Sequence, residues 1–126
     1  MTEHLGARSG PLSLEIVARS LSPHEPIFGL GDVREALDQL HRAGYGLLGW
    51  EGIVRHPDGT IGHPLPQILG TESIDRRTDE AWHDYVERSV EFCRRTIEQS
   101  AAEWNSHSDR ELCYAITIAT PPSTDE

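Results

Sequence analysis

The chain contains no lysine. All 11 of its basic residues are arginine, set against 21 aspartates and glutamates, for a formal net charge of −10 over 126 residues. A surface of that sign repels phosphate backbones and anionic headgroups, so nucleic acid and membranes are disfavoured as partners and a basic protein is favoured. The same charge also serves solubility, and composition alone does not separate the two uses. Cysteine is equally scarce: Cys93 and Cys113 cannot make a disulfide scaffold and are expected to be thiols buried as small hydrophobes. No apolar run approaches the roughly 18 residues that a membrane span requires. Residues 1–10 lack the basic-then-apolar pattern of a signal peptide, so the expected location is cytoplasmic.

The length fits one domain, with residues 11–120 globular between flexible tails at 1–10 and 121–126. Leu12, Leu14, Ile16 and Ala18 alternate with Ser13, Glu15 and Val17, which predicts a half-buried strand. Residues 32–43 read as a helix, with Val33, Ala36, Leu37 and Leu40 on one face, a capping box from Asp32 and Glu35, and Gly44 as the stop. A strand follows over 45–55, then a turn at Pro57-Asp58-Gly59, a short return strand over 60–63, and a loop over 64–78 that tucks Ile68 and Leu69 against the core.

The longest periodic segment is 79–105, where Trp82, Val86, Val90, Cys93, Ile97, Ala101 and Trp104 recur at helical spacing behind a Thr78 N-cap. Asp79, Glu80 and Asp84 fall where the helix dipole favours negative charge. Residues 105–110 form the exit loop, and 112–118 a final strand buried on both faces. The order strand, helix, strand, strand, helix, strand predicts an α+β two-layer sandwich. Its sheet has three or four antiparallel or mixed strands with both helices on one face, and a ferredoxin-like topology is one arrangement that satisfies this order.

The segment 46–59 is the most informative stretch. Gly46, Gly49 and Gly52 interrupt a strand that carries Trp50 and Glu51. Glycine packs no side chain and loses backbone entropy in a strand, so three in seven residues imply a bulge or the close approach of another backbone. Adjacent strand residues face opposite ways; Trp50 is expected in the core and Glu51 outward. The alternative makes Trp50 an interface anchor.

Other constellations are weaker. His56 and His63 flank the turn with Glu51 nearby, yet no spacing characteristic of zinc ligands accompanies them, and neither a metal nor a cofactor is expected. Cys93 with His83 or His107 would make a thiolate nucleophile, but its place in the apolar stripe favours an inert thiol. Glu87 and Glu91 share a helix face with arginines close by, and residues 79–103 hold seven acids against three arginines: a docking face for a cation or an ordinary solvated face.

The helix, the run Tyr45-Gly46-Leu47-Leu48-Gly49-Trp50-Glu51-Gly52, the segment Tyr85-Val86-Glu87-Arg88-Ser89-Val90-Glu91 and the last strand together resemble small immunity proteins of bacterial polymorphic toxin systems, specifically the immunity protein 40 family. The resemblance spans residues 28–118. It implies a non-enzymatic cytosolic inhibitor of a cognate toxin, with Glu51, Asp58, Asp84 and Glu87 as phosphate-mimicking contacts to a basic partner and Trp50 beside them. Two other readings remain open: a small enzyme with acid/base groups among Glu51, His56 and His63, and a homodimer formed through the long helix.

Overall fold

The structure is a computed structural model and describes residues 11–64, 69–104 and 109–122. The expectations for residues 1–10, Ile68, His107, 105–108 and 123–126 lie outside the described residues. In chain order the elements are α1 (Leu14–Val17), β1 (Ile27–Phe28), α2 (Leu30–Ala43), β2 (Gly46–Arg55), β3 (Ile61–Gly62), α3 (Trp82–Glu103) and β4 (Glu111–Ala119). The strands make one sheet in the order β1-β4-β2-β3, and every neighbouring pair is antiparallel. β1 and β2 therefore run parallel on either side of β4, joined by α2, so that β4 is inserted into a split β-α-β unit. The α+β two-layer expectation holds; the sheet differs from a ferredoxin-like one in strand order alone, with β4 and β2 central and β1 and β3 at the edges instead of the first and third strands central.

The predicted strand over residues 12–18 is instead α1, a single helical turn. Leu12 and Ile16 are buried four residues apart while Leu14 stands 78% exposed, so the alternating pattern was a helical one sampled over too few residues to tell. Ser13 decides it: its Oγ accepts from the Ile16 amide at 3.2 Å, and the Ser13 amide donates to Gln39 Oε1 at 2.8 Å. The first strand is β1, whose Ile27 and Phe28 face Ala115 and Tyr114 of β4.

α2 ends as the sequence indicates. Gly44 takes the left-handed conformation (φ 81°), its amide donates to the His41 carbonyl at 3.1 Å, and the Tyr45 amide reaches back to the Leu40 carbonyl at 2.9 Å. The capping box does not form, because the helix begins two residues early at Leu30 behind Gly29. Asp32 instead meets Arg19 at 3.2 Å, and Glu35 accepts from Gln39 at 3.1 Å. α3 likewise starts at Trp82 behind Ala81 rather than Thr78. Glu80, freed from the helix, accepts two hydrogen bonds from Arg88 at 2.7 Å and one from the Arg77 amide at 3.0 Å.

Both long helices cover one face of the sheet, where Phe28, Val33, Leu37, Leu40, Leu47, Trp50, Tyr85, Val90, Cys93, Ile97, Tyr114 and Ile116 form the core. The helices lie antiparallel, with Arg34 on Glu98 (2.6 and 2.7 Å), Arg94 on Asp38 (2.9 Å) and His41 on Glu87 (2.5 Å) at successive turns. These pairs are half-exposed, so they align the helices more than they stabilise them. The three indole N–H groups join elements: Trp50 to Thr96 (2.8 Å), Trp82 to the Gly44 carbonyl (2.8 Å) and Trp104 to the Arg110 carbonyl (3.1 Å).

Two of the three glycines of β2, Gly49 and Gly52, are explained by a second segment of the chain whose Thr71 and Leu69 side chains lie against them. A register shift falls between Leu47 and Gly49, and the segment 69–74 runs antiparallel along the edge of β2 that β3 leaves open. The Gly52 amide donates to the Leu69 carbonyl at 2.9 Å, the Thr71 amide to the Trp50 carbonyl at 3.0 Å, and the Ile74 amide to the Leu48 carbonyl at 2.8 Å. A Cβ at Gly49 (φ 151°) would lie 2.5 Å from Thr71 Oγ1, and one at Gly70 (φ 146°) 2.6 Å from the Trp50 carbonyl oxygen. Gly46 has a different neighbour, since its Cβ would strike the Tyr85 ring at 2.6 Å.

Gly70→Ala, which combines backbone collision with an unfavourable φ, is expected to destabilise the fold by about 2 kcal/mol or more. Gly62→Ala, which meets open space, is expected to change stability by less than about 0.5 kcal/mol. Urea midpoints of the two variants check this; equal losses would refute the close-approach account.

Candidate functional site

β2 distributes its side chains between two environments. Trp50 is 4% exposed and points into the helix layer, with its ring edge-on to Tyr114 at 5.4 Å. Glu51, next in the strand, must face the other side, away from both helices. Trp50 is thus a core residue that holds β2 to α3, as its sequence context indicates, and its side chain is not available as a partner anchor. Glu51 is exposed and lies 3.2 Å from Nδ1 of His63 (side-chain exposures 53% and 64%).

The helix-free face of the sheet is built from Glu51, Ile53 and Arg55 of β2 with Glu111, Cys113, Ala115 and Thr117 of β4. Ile27, Cys113 and Ala115 form a small second core there, with Leu21 and Ile53 against it. Arg55 and Glu111 approach to 3.8 Å at one end. At the other end a groove of about 600 Å³ opens where Gly49 and Gly70 carry no side chains, lined also by Glu51, Thr71, Glu72 and Thr117. A second hollow of about 760 Å³ lies behind the segment 70–75, between it and Arg88, Phe92 and Thr96 of α3.

The other expected contacts are scattered. Asp58 shapes the β2–β3 turn: its Oδ1 accepts from the Thr60 amide (3.0 Å) and hydroxyl (2.7 Å), and these hydrogen bonds hold its carboxyl below the usual range. Asp84 stands exposed in the first turn of α3. Glu87 is bound to His41, whose hydrogen bond lowers its pKa. Glu51 and Asp58 therefore belong to the sheet layer and its turn, Asp84 and Glu87 to the helix layer, and the four do not make one continuous surface.

The alternative chemistries fare differently. Glu51 and His63 do meet, which is the carboxylate–imidazole half of an acid/base site. Both are more than half exposed, so water reaches the pair freely. Among the described residues no three His, Cys, Asp or Glu side chains converge as metal ligands. Cys93 is fully buried, and loss of solvation pushes its thiol up to about 12; burial pushes Cys113 up to about 11. Both are protonated core residues at neutral pH, not nucleophiles. The apolar stripe of α3 is used against the sheet, so a twin-helix interface would have to be built from exposed polar residues such as Asp84, Glu87, Glu91 and Arg95.

Several contacts that position the site have little signal in the sequence. Tyr85 donates its hydroxyl hydrogen within reach of two carbonyls, Ile74 at 2.7 Å and Leu47 at 3.2 Å, and Ser89 Oγ accepts from the Leu47 amide at 3.0 Å. The helical spacing of this segment signals neither bond. Thr71 and Glu72 fall in a segment that reads only as loop.

Comparison with protein-family models, curated proteins and solved structures finds no match to this chain.

The wall of both grooves is anchored by Glu80 and Arg88, the latter also donating to the Asp75 carbonyl at 2.8 Å. Hydrogen bonds from Arg88 and the Arg77 amide lower Glu80 from 4.5 to about 2. A carboxylate whose folded pKa is depressed stabilises the fold fully above its unfolded value, and that contribution is lost as pH falls toward the folded one. Stability should therefore decline between about 4.5 and about 2, and Glu80→Gln should flatten that limb. Urea midpoints measured across this range test it; an unchanged slope in the variant would assign the decline to other carboxylates.

Proposed function

We propose that this chain is a small acidic immunity-type protein that binds a basic cognate toxin domain and blocks it. The observation that carries the reading is how the surface charge is distributed. Five arginines (Arg19, Arg34, Arg55, Arg88 and Arg94) are committed to carboxylates of the same chain. Glu25, Glu72, Asp79, Asp84 and Glu103 have no ion-pair partner among the described residues. These five acids are exposed on a chain of net charge −10, and such a field steers a cationic partner and raises its association rate. The sequence resemblance to toxin-neutralising proteins supplies the class of partner. Inhibition here is occlusion: carboxylates such as Glu51, Asp58, Asp84 and Glu87 would occupy sites where a basic toxin holds phosphate.

The test is co-expression with the product of the open reading frame directly upstream in the source genome. A stable complex on gel filtration and loss of that product's toxicity are expected. Absence of both complex and protection would refute the reading. Within a complex, Asp84→Lys should slow association by about threefold at low ionic strength and reduce its dependence on salt, with dissociation little changed. Stopped-flow rates across a salt series measure this. Glu87→Lys adds the loss of the His41 contact, so its rate must be read beside its urea midpoint.

A further inference from the structure

Tyr85 and Tyr114 are equally buried in the core, at 1% exposure each. The Tyr85 hydroxyl has two backbone carbonyls within reach, those of Ile74 and Leu47; the Tyr114 hydroxyl has no hydrogen-bond partner among the described residues. No side-chain nitrogen or oxygen that is fully closed off from solvent lacks a partner there. The Tyr114 oxygen, which lacks one, is therefore the open point of an otherwise closed residue, and Tyr114 lines a cavity of about 290 Å³. A hydroxyl left unpaired at such a depth costs free energy that phenylalanine, with the same ring, would avoid.

The cavity lies where α2 begins, α3 ends and β4 starts. Leu112 and Tyr114, both buried, make its floor, half-buried Leu30, Ala101 and Trp104 its walls, and Arg110 and Glu111 its rim. The Trp104 indole N–H is already given to the Arg110 carbonyl, so that ring offers the cavity apolar surface only. Charges of both signs surround it: Arg110 and Glu111 at the rim and, in the helix layer, the Arg34 and Glu98 pair, whose members act on the Tyr114 hydroxyl in opposite directions. Burial pushes that hydroxyl up to about 12, so at neutral pH it keeps its proton and is a donor. The volume is about ten times the roughly 30 Å³ of one liquid water, far more than a single bridging water needs.

We propose that this cavity is a binding site for a small neutral aromatic molecule carrying one hydrogen-bond acceptor, with its ring between Leu112 and Trp104 and its acceptor on the Tyr114 hydroxyl. An apolar enclosure with one convergent polar group selects such a molecule, and charges of both signs around it favour no ion. Occupancy of the cavity requires no toxin.

The experiment uses the full chain, isotopically labelled, with phenol as the probe and toluene as the isostere that has a methyl group in place of the hydroxyl. Phenol should shift the amide resonances of Leu30, Ala101, Leu112 and Tyr114 in a saturable way. Tyr114→Phe should weaken phenol binding about fivefold, the loss of one neutral hydrogen bond, and leave toluene binding unchanged. Its urea midpoint should not fall, because the hydroxyl has no partner in the protein to lose. Ala101→Leu, which fills the cavity from the last turn of α3, should abolish the shifts from both probes. No saturable shift up to the solubility of phenol would mean that water alone serves Tyr114, and would overturn the proposal. So would shifts confined to the segment 69–75, equal weakening of phenol and toluene by Tyr114→Phe, a lowered urea midpoint of that variant, or undiminished phenol binding by Ala101→Leu.

Discussion

The structure depends on the approach of the segment 69–74 to the edge of β2. That edge is covered by β3 only at Val54 and Arg55, and without further pairing the amide and carbonyl groups along residues 48–52 would be left open to water or to another chain. The segment supplies the missing partners with almost no regular structure of its own. It is held in turn from the helix layer, where Tyr85 binds the Ile74 carbonyl and Arg88 the Asp75 carbonyl. Sheet, segment and α3 thus close on one another. The glycines are where this closure leaves its mark, because a Cβ at Gly49 or Gly52 would strike the Thr71 or Leu69 side chain and one at Gly70 the Trp50 carbonyl.

From that constraint the two faces of the sheet acquire different characters. The helix-covered face takes Trp50, Tyr114 and Ile116 and is dry. The opposite face has only a small apolar patch around Ile27, Cys113 and Ala115, and its margins are charged. That patch is itself buried, with Leu21 and Ile53 packed against it. The alternative of chemistry at Glu51 and His63 has the right two side chains but no shelter from solvent, and shelter is what makes acid–base groups effective.

The charge pattern separates structural carboxylates from available ones. Asp38 and Glu98 bind arginines of the facing helix and Glu87 its His41, Glu80 secures the entry to α3, and Asp58 shapes a turn. Each appears in the sequence as one more acid on an acidic surface. Their neighbours Asp84 and Glu72 look the same in the chain and have no such duty among the described residues. The difference lies entirely in what the fold brings within about 3 Å.

Periodicity and punctuation determined a good deal of this protein unaided. The stripe from Trp82 to Ile97, the Gly44 stop, the hairpin at Pro57-Asp58-Gly59, the burial of Trp50 with Glu51 outward, and the α+β class follow from local rules that act over a few residues. The glycines of β2 announced that some backbone comes close. Only the tertiary structure decided which one, since the partner segment 69–74 carries no periodic pattern and is specified by contacts far away in the chain. It also made α1 a helical turn, through Ser13 and Gln39, where seven alternating residues fit a strand equally well. It moved both helix starts, leaving Asp32 to meet Arg19 and Glu80 to meet Arg88. And it divided the expected binding residues between two layers, since a sequence shows which side chains are charged but not which will face each other once the layers pack.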